Sequence, residues 1–287
     1  MGMVRISIII VTYNSKKYID NCLKSLYEYN DIGDELEVII VDNSPKDINN
    51  EMFSYIKETY KYPIKLIHNE KNGGYGQGNN IGIEAASGDI IAIMNPDIIH
   101  TESLFKQVIS EFKNNNKLGM LGYKQLGGKE ISFYIRQEFQ KPIVTTLLTK
   151  LYNKINYFSK DRMYLSGAYF FTLKNNFKKI DLFDENIFLY CEESDITQRF
   201  LKNNFDIKYD YNKSYIHDID GRDDTSINTL LWLLDSTKYY CNKYGFSFEN
   251  FSINYIKELS FKSKVLRLLG KNVDSIEKQI KYLKNYE

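Results

Sequence analysis

Cysteine is scarce in this chain of 287 residues: Cys22, Cys191 and Cys241 stand far apart, with neither metal nor redox spacing. That excludes a secreted disulfide scaffold and leaves the thiols reading as reduced groups of a cytoplasmic protein. An excess of either charge is missing too. Lys and Arg total 38 against 37 acidic residues, a net +1, so the basic surplus a nucleic-acid binder needs is absent. No apolar run approaches the roughly 18–20 residues of a spanning helix. The first apolar run, Ile6–Val11, is too short and too β-branched for a signal peptide, so no leader is expected. Internal repeats and linkers rich in Pro, Gly or Ser are also lacking. The reading is one α/β domain over residues 1–225 and a helical extension over 226–287.

Within the first hundred residues strand and helix alternate. Ile6–Thr12, Leu36–Val41, Ile64–Ile67 and Ile90–Met94 read as strands, and Lys17–Tyr29, Asn49–Tyr60 and Asn79–Ala86 as helices. Repeated βα units of this kind imply a parallel sheet with helices on both faces. Further on, the pattern predicts a helix over Thr101–Asn114 capped near Thr101, strands over Leu118–Tyr123, Ile131–Tyr134 and Tyr164–Leu173, a helix over Asp195–Asn203 and a strand over Ile207–Tyr211. Helical periodicity then governs Ser226–Tyr244, Asn254–Leu269 and Val273–Tyr286.

The most informative stretch is Ile90-Ile91-Ala92-Ile93-Met94-Asn95-Pro96-Asp97. Its uninterrupted apolar run marks a strand covered on both faces. Pro96 removes a ladder donor and holds Asn95 extended, so the strand stops there. Asp97 is left at the carboxyl edge of the sheet, where open α/β sheets bind ligands and where a carboxylate can hold a divalent cation; otherwise it would cap the next helix. Two further strands end in polar groups on the same edge: Thr12-Tyr13-Asn14 and Asp42-Asn43-Ser44. Asp42 suits a base N–H or a ribose hydroxyl, or else caps its own loop. Asn72-Gly73-Gly74-Tyr75-Gly76-Gln77-Gly78-Asn79-Asn80 is a glycine-rich loop opening a helix, a place where backbone amides can approach an anion. Glu192, Glu193 and Asp195 put three carboxylates at a helix start after Phe188-Leu189-Tyr190-Cys191. One could take a proton from a hydroxyl, or all three could simply suit the helix dipole. Ser166-Gly167-Ala168 is small enough for a substrate to pass close by. His217 ends a strand-like run and could ligate a metal. Cys191 shows no sign of being a nucleophile, and His68 and His100 carry no role.

Together these residues resemble the family-two glycosyltransferases of the GT-A fold, most closely the rhamnosyltransferase branch of bacterial surface-polysaccharide enzymes. The resemblance is carried, in order, by Ser7–Asn14, Glu37–Ser44, Asn72–Asn80, Met94–Asp97, Ser166–Ala168, Phe183–Glu185 and Phe188–Asp195. It implies a Rossmann-like, mainly parallel sheet with a helical carboxyl-terminal appendage. It also implies that Thr12, Tyr13, Asn14 and Asp42 contact the nucleotide, and the donor site is completed by Asn72, Gly73, Gly74, Asn79, Asn95, Asp97 and Gly167. Asp97 corresponds to the metal-binding aspartate and His217 to the later histidine of the metal shell, with Mg²⁺ or Mn²⁺ as cofactor. Two departures stand out. Asn95 replaces the first aspartate of Asp-x-Asp, and Glu193 stands where an aspartate base is expected, with Glu192 as the alternative.

The implied activity is inverting transfer from a nucleoside-diphosphate sugar, dTDP-rhamnose or a UDP-hexose, to a saccharide acceptor, expected to be lipid-linked. Two other readings compete. A sugar-1-phosphate nucleotidyltransferase would carry a glycine-rich basic loop after its first strand, and Tyr13-Asn14-Ser15-Lys16 has no glycine. A catalytically degenerate sugar-nucleotide-binding subunit would fit Asn95 and Glu193. Along Asn254–Lys271, Ile256, Leu259, Val265, Leu266 and Leu269 share one side, and Lys257, Lys264 and Lys271 recur on another. Such a helix lies on an anionic membrane, packs on its own domain, or pairs with a second subunit in a homodimer.

Overall fold

The computed structural model describes residues 5–218 and 226–286. The expected domain boundary at residue 225 lies outside them. Ten strands are formed: β1 (Ile6–Thr12), β2 (Leu36–Asp42), β3 (Ile64–His68), β4 (Ile90–Met94), β5 (Ile98–His100), β6 (Leu118–Leu126), β7 (Phe133–Ile135), β8 (Met163–Leu165), β9 (Tyr169–Leu173) and β10 (Asp206–His217). The helices are α1 (Lys16–Glu28), α2 (Lys46–Thr59), α3 (Tyr75–Ala85), α4 (Phe105–Asn114), α5 (Val144–Lys154), α6 (Lys174–Lys178), α7 (Glu192–Lys202), α8 (Ile227–Tyr244), α9 (Phe248–Leu268) and α10 (Asp274–Leu283).

Eight strands form one sheet in the order β3-β2-β1-β4-β9-β6-β10-β5, and β7 and β8 form a separate pair. The β3-β2-β1-β4 half is parallel throughout. Every residue of β1 and β4 is buried, because alternate side chains enter two different cores. Ile6, Ile8 and Ile10 pack toward Ile19, Leu23 and Leu26 of α1, whereas Ile9 and Val11 join Ile83 of α3 and Phe170. This double burial is why these strands read as continuous apolar runs.

Three expectations change. The helix predicted from Thr101 starts at Phe105, because Ile98–His100 is drawn into β5, antiparallel to Tyr215–His217 of β10. The single strand predicted over Tyr164–Leu173 breaks at Ser166-Gly167-Ala168: β8 pairs with β7, and β9 runs antiparallel to β4. Helix α5 lies in a stretch for which no element was anticipated. At the far end of the chain, α8, α9 and α10 share a small core of Leu230, Leu234, Leu259, Ile276 and Leu283. Among the described residues no helix is long and apolar enough to cross a membrane.

Candidate active site

A cleft of about 1500 Å³ opens over the carboxyl edge of β1, β2 and β4. Thr12, Tyr13 and Asn14 line it from the end of β1, Asn72 and Gly74 from the loop before α3, Asn95 from the turn after β4, and Gly167, Glu192, Glu193 and His217 from the later elements. Sequence reading missed Asn43, Tyr134, Tyr164, Trp232 and the cations Lys129, Lys150 and Lys262, which also line it. The sequence places Asn43 on this edge with Asp42 and Ser44 but gives it no role of its own. Lys129, Lys150 and Trp232 stand in unremarkable helical or loop sequence and give no signal, whereas Lys262 reads only as part of the basic face of its helix.

Four candidate residues stand off the cleft wall. Asp42 is fully buried, and its carboxylate accepts from Thr12 Oγ1 at 2.8 Å, Ser44 Oγ at 2.7 Å and Asn49 Nδ2 at 2.9 Å. With both oxygens engaged, it braces the ends of β1 and β2, and Ser44 in turn accepts from the Asn14 amide at 2.8 Å. Asn79 lies buried inside α3, donating to the Tyr75 carbonyl at 3.0 Å. Gly73 backs the loop, and Asp97 lines a smaller hollow beside the main cleft with Lys17, Tyr18 and Asn21.

The glycine-rich loop does not offer an open amide cradle. The Gly73 amide donates to Gln77 Oε1 at 2.9 Å, the Gly74 amide to Asn72 Oδ1 at 3.0 Å and the Tyr75 amide to the Phe188 carbonyl at 3.0 Å. Its glycines serve close packing instead. Gly74 has φ +95°, and a Cβ there would come within 2.0 Å of the Phe188 carbonyl oxygen. The loop is therefore a seat for the segment that carries the acidic cluster.

That segment is set by unusual backbone. Tyr190 and Cys191 both adopt left-handed φ, +72° and +69°, a non-glycine strain of about 1–3 kcal/mol each that clusters at functional sites. The two turns deliver Glu192 and Glu193 to the first turn of α7. Glu193 is partly exposed to the cleft, whereas Glu192 is buried and its Oε1 has no hydrogen-bond partner among the described residues. Burial raises the pKa of Glu193; burial and then the neighbouring Glu193 charge push Glu192 well above the carboxylate range. Both carboxyls are thus pushed toward their neutral form, and Glu193 is the less buried of the two. Burial also pushes the Cys191 thiol up, away from the reactive thiolate.

Gly167 faces Glu193. A Cβ at Gly167 would lie 1.8 Å from Glu193 Oε1. Tyr75 holds the two turns together, its hydroxyl donating to the Gly167 carbonyl at 2.9 Å and to Asn95 Oδ1 at 3.1 Å. Gly167→Ala should therefore push the Glu193 carboxylate aside. An ångström of misplacement costs about 10²-fold in rate. We expect that loss in kcat with little change in thermal midpoint, since the three atoms nearest the new Cβ, Oε1, Cδ and Cγ, all belong to the Glu193 side chain; a lowered midpoint with unchanged kcat would count against the contact.

Asp97 and His217 meet because β5 pairs with β10. His217 lies opposite Ile98, the Asp218 amide donates to the Asp97 carbonyl at 2.9 Å, and His217 Nε2 lies 3.2 Å from Asp97 Oδ1. Neither ring nitrogen of the buried His217 is hydrogen-bonded among the described residues. A buried imidazole and carboxylate so placed fit a divalent cation. No group of three or more His, Cys, Asp or Glu side chains suited to a metal occurs among the described residues.

Comparison with known proteins agrees with this geometry. The glycosyl transferase family 2 profile matches residues 7–181, and the chain belongs to that family. The putative glycosyltransferase EpsH of Bacillus subtilis is 29% identical over 164 residues, covering 55% of this chain and 46% of that protein. The poly(ribitol-phosphate) beta-glucosyltransferase of Bacillus spizizenii is 26% identical over 129 residues, covering 45% of this chain and 20% of its own length. The chain thus spans less than half of these curated relatives. Two solved structures share the fold. The mannosyltransferase PcManGT of Pyrobaculum calidifontis, in complex with GDP-Man and Mn²⁺, has a TM-score of 0.59 at 13% identity, covering 99% of this chain and 70% of that one. Residues 1–349 of S. aureus TarS in complex with UDP give 0.56 at 18% identity, covering 99% and 92%. The expected GT-A sheet with its carboxyl-terminal helices is therefore present.

Proposed function

We propose that the chain is an inverting glycosyltransferase that uses a nucleoside-diphosphate sugar, dTDP-rhamnose or a UDP-sugar, and builds a cell-surface polysaccharide on a lipid-linked saccharide at the cytoplasmic face of the membrane. The observation that carries the reading is the pairing of Glu193, a carboxylate of raised pKa at the cleft wall, with the polar strand ends Thr12–Asn14 and Asn95 in the same cleft. The donor would lie across the strand ends, with the exposed Tyr13 ring beside its base. The acceptor hydroxyl would attack the anomeric carbon in line as the bond to the diphosphate oxygen breaks, and Glu193 would take the hydroxyl proton. Asp97 and His217 would hold Mg²⁺ or Mn²⁺, which when bound supplies charge stabilisation to the diphosphate. A carboxylate at the cleft wall and the close approach of His217 to Asp97 favour the enzyme reading over a degenerate subunit.

Turnover of a panel of UDP- and dTDP-sugars, with and without Mn²⁺, tests the reading; no nucleoside diphosphate released from any donor would overturn it. Asp97→Asn should remove the Mn²⁺-dependent gain in nucleoside-diphosphate affinity measured by calorimetry, and turnover with it. An unchanged gain in that variant would remove Asp97 from the metal site.

A further inference from the structure

The cleft does not end at the carboxylates. It runs outward between α5 and α9, where Leu147 and Lys150 face Phe261, Lys262 and Val265, and Thr146 donates to Glu258 to tie the two helices. Both helices turn an apolar stripe to solvent there. On α5 the stripe is Val144, Leu147 and Leu151, continued by Ile155; on α9 it is Phe261, Val265 and Leu268, continued by Leu269. Leu268 is 88% exposed and Leu147 63%, far beyond the scattered apolar exposure of an ordinary surface. The apolar side expected of α9 is in fact divided. Ile256, Leu259 and Leu266 pack into the helical core, while Val265 and Leu269 stay outside with Phe261 and Leu268.

The charge around the stripes is mainly positive, with Glu258 bound to Thr146 and Glu277 paired with Arg267. No acidic residue occurs from Phe139 to Lys160 or from Leu259 to Val273. Lys150, Lys154, Lys262, Lys264 and Lys271 are exposed, and none is in an ion pair among the described residues. An apolar strip flanked by five unpaired lysines is complementary to an anionic lipid surface, which takes apolar side chains at the acyl boundary and basic heads among its phosphates. A protein partner of ordinary mixed charge would leave these lysines unmatched.

From this we propose that α5 and α9 together form a docking surface for an anionic bilayer, placed so that the cleft mouth opens onto the lipid. The proposal rests on the lipid-linked acceptor of the reading above and gives it a route: the saccharide enters toward Glu193 while its apolar anchor stays in the bilayer.

The test is co-sedimentation of the full chain with vesicles of phosphatidylglycerol and phosphatidylcholine in equal parts, against phosphatidylcholine alone. Binding should be roughly tenfold or more stronger to the anionic vesicles and should weaken with salt. Leu151→Glu with Ile155→Glu, and separately Leu268→Glu with Leu269→Glu, should abolish it while leaving donor-sugar hydrolysis unchanged, as these side chains are exposed and outside the cleft. A chain that stays in solution with anionic vesicles overturns the proposal. So does equal binding to both vesicles, or a dimer in sedimentation velocity that the same substitutions dissociate. Absence of donor hydrolysis in the wild type would count against the glycosyltransferase reading alone, since vesicle binding is read independently.

Discussion

Glu193→Gln should lower kcat for sugar transfer by roughly 10²–10⁴-fold, the span general-base removal covers, while nucleoside-diphosphate affinity stays within about twofold. The amide keeps the volume beside Gly167 and loses only proton affinity. Glu192→Gln should retain most of the rate, because burial favours the neutral form of Glu192 and the amide mimics that form. The sign of the pH dependence follows from the raised pKa of Glu193. Transfer needs the ionised base, so kcat should rise with pH through that raised value and level off above it; the variant should lose this limb. Stability runs the other way. A carboxyl whose folded pKa exceeds its unfolded one disfavours the folded state increasingly as pH climbs between the two values, so Glu193→Gln should be slightly more stable than wild type at neutral pH. Steady-state kinetics against pH and urea unfolding at pH 7 give both readings. An inactive Glu192→Gln beside an active Glu193→Gln would reverse the two roles.

What the sequence revealed of this site follows from how each part is built. β1, β2 and β4 were legible because burial on both faces leaves an apolar run that only a polar group can end, so Thr12 and Asn95 were found at once. β5 was not. Ile98-Ile99-His100 is too short to show a period, and its strand form comes from pairing with β10 more than a hundred residues later. The same pairing is what joins Asp97 to His217, so each residue could be read singly and their contact could not. The glycine loop misled for a related reason. Gln77 and Asn72 reach back to take its amides, and the true demand on Gly74 is the Phe188 carbonyl, which belongs to a distant segment. Choosing between Glu192 and Glu193 likewise needed the left-handed turns at Tyr190 and Cys191, which no propensity would place at those side chains.

Asp195→Ala should be the most damaging substitution outside the cleft. Asp195 is fully buried in the first turn of α7, two residues after Glu193, and it binds two cations and a phenol. Arg199 Nε and Nη2 lie 2.8 and 2.5 Å from Oδ2, and Lys243 Nζ and the Tyr244 hydroxyl lie 2.6 and 2.7 Å from Oδ1. Lys243 and Tyr244 belong to α8, so the helix that looked like an appendage in sequence is fastened to the one that carries Glu193. Ser194 and Tyr240 add a second tie at 3.1 Å, and Tyr240 packs with Ile187 and Cys191. Removing one partner of a buried ion pair costs about 3–5 kcal/mol. The lower end applies here, because Lys243 keeps Asp184 at 2.6 Å and is partly hydrated. Lys243→Met removes only the half-exposed member and should cost about 1 kcal/mol or less. Urea midpoints at unchanged slope measure the two losses. Asp195→Ala should also lower kcat by tenfold or more under conditions where the protein is folded, with donor KM nearly constant, as α7 loses the contacts that aim Glu193 while the strand ends that hold the donor are untouched. Lys243→Met should fall between wild type and Asp195→Ala in the same assay. A midpoint shift for Asp195→Ala no larger than that of Lys243→Met, or full kcat in the folded variant, would show that α8 does not position the base.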